Sequence, residues 1–214
     1  MRHCLLLLLI SFSCITATQL RQTSREYDKG LMRTPSGTAI SIRWVPRTIY
    51  VDMSEDITVV ADAIEMWDTA AHRSDLFRLV YETNRISRDA HGRVVLHNGE
   101  IFVYSRRTMP SRKLAGLTNT IYQAATGSIW YSRVLIHSRY RDHRFAHVLV
   151  VAHELGHCLG LDDDLVTERN HSLMQGVLRL DGEITEHDAA IIAALPHRRT
   201  PPLLSFSSLV RIAN

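Results

Sequence analysis

At 214 residues the chain has the length of one domain, or of one domain with short extensions. Apolar residues make up 45% and charged residues 22%, the balance of an ordinary soluble globular protein able to bury a core. The formal net charge of +3 is not gathered into a tail, and its densest basic run, Arg139 to Arg144, has only Tyr140 and Phe145 beside it. Stacking aromatics among the charges are too few for a nucleic-acid surface, so the run reads as a solvated face.

Residues 1–17 have the build of a secretory signal peptide: Arg2, an apolar run from Leu5 to Ile10, then small residues to Ala17. That run is too short for a membrane span. Lipid attachment at Cys14 is the weaker option, because the bulky Phe12 fits a lipoprotein signal poorly. Of three cysteines only Cys158 lies outside this segment, so the exported chain is expected to have no internal disulfide. Residues 18–38 read as a linker or short extension. From 39 to 53 the chain is rich in β-branched and aromatic residues and predicts a strand, or a pair broken at Pro46. Val60, Ile64, Trp67 and Ala71 recur at helical spacing and predict an amphipathic helix over 57–72, capped by Asp56 or Ser54. Strands are predicted at 76–82, 101–104, 116–122 and 128–137, with a loop over 84–99. The stretch 144–159 is apolar on nearly every side, which predicts a buried helix. A polar loop over 162–172, a capped helix over 185–195 and a tail over 197–214 follow.

The buried helix carries His153, Glu154 and His157. Two histidines four apart lie on one helix face, one turn apart, and can share a metal ion. Glu154, next to the first ligand, flanks the place of a metal-polarised water and is the candidate general base. An unligated His–Glu–His group would be costly to bury, which favours a metal. Gly160, three residues after His157, predicts a left-handed turn that bends the chain back and delivers a third ligand from just beyond. Asp163, its neighbours Asp162 and Asp164, and His171 compete for that role; the aspartate triplet also fits a solvated or structural calcium-binding loop. His143 and His147 read as a solvated helix start, His91 and His97 as surface residues, and Cys158 as a small core residue.

His153-Glu154-Leu155-Gly156-His157-Cys158-Leu159-Gly160, followed by Ser172-Leu173-Met174, resembles the metzincin clan of zinc peptidases in its matrixin-like form. The last histidine of that pattern is here Asp163, as in the snapalysin type. The resemblance implies an α+β domain over 39–196: a twisted mixed sheet, a backing helix, a central metal helix and a small C-terminal part. It implies one catalytic Zn2+ on His153, His157 and Asp163, Glu154 as base, and Met174 in a Met-turn beneath the metal. It also implies that Leu117 to Tyr122 or Ser128 to Tyr131 receives substrate as an added antiparallel strand. The function expected is that of an exported, monomeric zinc endopeptidase acting on protein or peptide substrates. The alternatives are an inactive secreted zinc-binding interaction protein on the same scaffold, and a zinc amidase.

Overall fold

The computed structural model describes residues 30–42, 46–81, 85–111, 113–163, 171–176 and 179–195, and the backbone of 209–213. The signal segment, Cys14 and Asp164 therefore lie outside the described residues. Strand β1 (Arg47–Val51) begins only after Pro46, the break that the sequence allowed within the run 39–53. Helix α1 (Ile57–Ala70) starts at Asp56, whose carboxylate accepts from the Thr58 amide at 2.9 Å, and it buries Val59, Val60, Ala63 and Trp67. Strands β2 (Phe77–Val80) and β3 (Glu100–Arg106) follow, then β4 (Gly116–Gln123) and β5 (Ser128–His137). Helix α2 (Arg144–Leu159) and helix α3 (Glu186–Ala193) precede a last strand, β6 (Leu209–Ala213). The result is a mixed α/β architecture. Its sheet runs β2-β1-β3-β5-β4-β6, with β1, β2, β3 and β5 mutually parallel and β4 antiparallel to both neighbours.

Alternation along β3 divides the interior. Ile101 and Val103 join the main core, which also takes in α1 and α2, while Phe102 packs with Ile86 and Leu96 on the other face. Helix α2 lies against β4, β5 and α1, and thirteen of its sixteen residues are buried, as an all-round apolar helix requires. The Trp67 indole fastens the two helices by donating to the Ala152 carbonyl at 2.8 Å. No described helix is long and apolar enough to cross a membrane.

Three expectations change. Packing already includes residues ahead of 39: Leu31 and Met32 are buried with Ile40 and Ile42, and 31–41 double back through a turn at Thr34–Gly37. Apolar residues flanking the Pro35–Gly37 turn explain why this stretch reads as a linker yet packs. His147 is not solvated; it is 1% exposed, with Nε2 2.9 Å from Glu55, whose other oxygen accepts from Ser105. A helix buried on all sides leaves its histidines no solvent to face. Residues 209–213 form an edge strand rather than part of a tail.

Asp68 on α1 is partly buried, and its Oδ1 has no hydrogen-bond partner. Burial, with Asp75 nearby, pushes its carboxyl up to about 6 from 3.8, against the pull of Arg73. The folded chain thus keeps a proton that the unfolded chain releases between these values, so stability falls as pH rises through that window. Asp68→Asn is expected to stabilise by roughly 1 kcal/mol at pH 7 after allowance for solvent screening, raising Tm by about 2–4 °C. Thermal melts at pH 7 and at pH 4, where the gain should largely vanish, check this.

Candidate metal centre

Gly160 closes α2 with φ of 109°. A Cβ there would stand 2.5 Å from the Ile40 carbonyl oxygen, so only glycine fits both the backbone and the neighbour. Past it the chain is strapped to the N-terminal segment: Met32 donates its amide to Gly160 O, Asp162 donates to Gly30 O, both at 2.9 Å, and Leu31 bridges Leu161. The strap turns the Asp163 carboxylate back over the helix. Gly160→Ala is expected to cost about 2 kcal/mol or more in stability and to weaken metal binding with it, read by denaturant melts and metal titration.

His153, His157 and Asp163 converge. The two Nε2 atoms lie 3.1 Å apart, and Asp163 Oδ1 is 3.4 Å from the first and 3.5 Å from the second. Each imidazole has its other nitrogen on a backbone carbonyl: Nδ1 of His153 on Leu173 O at 2.7 Å, Nδ1 of His157 on Leu161 O at 2.8 Å. A carbonyl only accepts, so both Nδ1 atoms carry the proton, and in the neutral rings both Nε2 atoms present lone pairs. Three electron-pair donors then face one point, and buried Asp163 Oδ1 has no hydrogen-bond partner. Such a group favours positive charge between its members, and these three residues could hold a metal ion. The electrostatics point the same way. Burial alone would lower the His153 pKa and raise that of Asp163. The neighbouring Asp163 and Glu154 carboxylates reverse the first, and imidazoles in their protonated form hold the Asp163 carboxyl well below its usual range, so positive charge, proton or metal, is favoured at this point.

The support behind His153 is a chain of hydrogen bonds. Thr185 and Asp188 form a reciprocal cap on α3; the Ser172 hydroxyl donates to Asp188 at 3.0 Å and accepts from the Met174 amide at 3.1 Å. This tight turn aims Leu173 O at His153 and buries Met174 under α2, where Gly156 leaves no room for a Cβ against the Met174 sulfur. His171 is not in the cluster: it is exposed and contacts Asp181 at 3.1 Å. Asp162 is exposed and takes the Asp163 amide at 3.0 Å. Among the described residues no second group of three or more His, Cys, Asp or Glu side chains gathers. Cys158 is fully buried, and desolvation pushes its thiol up to about 12, which leaves an inert core residue.

Glu154 lines the same cleft of roughly 480 Å³ as the trio, together with Gly116, Tyr140 and Gln175. The Thr118 hydroxyl donates to Glu154 Oε2 at 2.6 Å and reaches Glu154 O at 3.1 Å, and Gly116 abuts the carboxylate with no space for a side chain. Gly116 and Thr118 escape a sequence reading. Their only signal is a small residue and a hydroxyl on the inward face of β4, shared by many strands. Known protein-family models and curated proteins contain no match to this chain.

Proposed function

We propose that the chain is an exported, zinc-dependent endopeptidase of metzincin type. The observation that carries this reading is the convergence of two carbonyl-anchored imidazoles and one partnerless carboxylate oxygen, with a second, separately held carboxylate in the same cleft. The separations of 3.1, 3.4 and 3.5 Å match the roughly 3.3 Å edge of a tetrahedron around an ion with bonds near 2.0–2.1 Å. Two imidazoles among three donors favour zinc over calcium, which takes oxygen ligands. The order of strand, helix, further strands and then the metal helix agrees with the matrixin-like resemblance.

Zinc bound there supplies a Lewis acid for a peptide carbonyl and acidifies a water to a pKa of about 7. The chain's own residues do the rest. Glu154 accepts a proton from the attacking water on the carboxylate that Thr118 orients, and returns it to the departing amine. Thr118 donates to one oxygen and so leaves the other for proton traffic. The cleft is lined by Lys113 to Gly116, the approach to β4 and its first residue, so an extended peptide lying along that strand passes Glu154. This favours protein substrates over small amides. A side chain held so deliberately is also more than an inert zinc-binding module needs.

The test is metal analysis of the purified exported protein beside casein hydrolysis with and without a chelator. About one zinc per chain and chelator-sensitive cleavage are expected. Absence of stoichiometric metal sinks the metal site; one bound zinc with no cleavage of any protein leaves the interaction-module reading.

A further inference from the structure

Strand β4 is paired with β5 along its whole inner side, from Gly116 to Gln123. Its outer side is paired with β6 only from Asn119 to Gln123. Gly116, Leu117 and Thr118 have no strand on that side among the described residues. This bare end is the one that meets the cleft, through the contacts of Gly116 and Thr118 with Glu154. Direction matters as well. Because β6 runs antiparallel to β4, with Leu209 opposite Gln123 and Ala213 opposite Asn119, its residue numbers rise toward the cleft. Ala213 stands three residues short of the level of Gly116, about 10 Å at ~3.4 Å per residue.

We propose that residues 209–213 are a resident occupant of the outer edge of β4, so that this strand competes in cis with extended peptides entering the cleft. A bare run of strand backbone invites an added strand, because its amides and carbonyls point outward in register. A peptide that replaces β6 in the same direction reaches Glu154 after about three further residues. Peptides with three or fewer residues before the scissile bond need only Gly116–Thr118, the levels that no described strand occupies. Longer ones overlap it and must displace it. The edge is thus a binding surface with a length-dependent block, supplied in cis. The overlap with Glu154 chemistry rests on the peptidase reading; the occupancy of the edge does not.

The test uses full-length chains carrying Arg211→Pro or Ile212→Pro, neighbouring positions chosen because one of the two amides faces β4. Two measurements follow. The first is kcat/KM on peptides with three or six residues before the cleaved bond. If β6 holds the edge about nine-tenths of the time, at least one proline variant raises kcat/KM on the longer peptide on the order of tenfold and leaves the shorter within about twofold. The second is binding of a labelled synthetic peptide of residues 207–214, expected to be about tenfold tighter to that variant than to the parent. Should a variant fail to fold, the parent alone still decides: lengthening the peptide from three to six residues must not improve its kcat/KM. Cleavage of both lengths with no change in their ratio overturns the proposal while the peptidase reading stands. If no peptide is cleaved, the peptidase reading has failed, and equal binding of the labelled peptide to variants and parent overturns this one too.

Discussion

Glu154→Gln is expected to bind metal as the parent does and to lose about 10²–10⁴-fold in kcat on a peptide substrate, with little change in KM. The substitution keeps the shape and the acceptor that Thr118 addresses at 2.6 Å, and it removes only the capacity to take a proton. That loss corresponds to roughly 3–5 kcal/mol of transition-state stabilisation. Metal content and steady-state rates on the same preparation separate the two roles, because a carboxylate that merely supported the fold would change the melt before it changed kcat. Retained activity within a factor of ten would remove Glu154 from the chemistry.

The site was legible in the sequence to the extent that it is local. His153 and His157 lie one turn apart on a helix whose limits follow from apolar periodicity, and Gly160 announces the reversal. Asp163 could be named as a candidate, but its preference over His171 came from resemblance. The structure separates them by the strap from residues 30–32, a contact between segments some 130 positions apart that no local pattern encodes. The carbonyls of Leu161 and Leu173, which fix both imidazole tautomers, are backbone groups and carry no residue signature. Thr118 is visible only once β4 is laid beside α2. Among the strands, β5 matches its predicted limits, whereas 39–42 and 47–51 could not be told apart from one strand because both are β-branched and apolar. Arg47 is the plainest case of information absent from sequence. An arginine in a strand suggests a solvent-facing position, yet it is fully buried and donates to the carbonyls of Ile129 and Trp130. His147 fails for the same reason, since its partner Glu55 lies outside its own helix.

Removal of the metal should have the largest effect on stability, and its pattern across variants identifies the third ligand. A ligand held by the folded chain alone at a thousand times its Kd stabilises by about 4 kcal/mol. For a chain of this size that corresponds to a Tm fall of roughly 8–16 °C when a chelator is added. The informative quantity is the difference between the two melts, because each variant's own packing defect cancels in it. In Asp163→Ala the difference should shrink to near zero: the two remaining imidazoles leave an incomplete ligand set, and only the atom that faces both of them, at 3.4 and 3.5 Å, is lost. In His171→Ala it should stay at the parent's value, because that imidazole faces Asp181 on the surface. The reverse pattern would mean that the chain beyond Gly160 moves when metal binds and brings His171 inward. That movement would have to break the amide contacts to Gly30 and Gly160 that hold Asp163 over the helix, and hydrogen exchange at Met32 and Asp162 would report it.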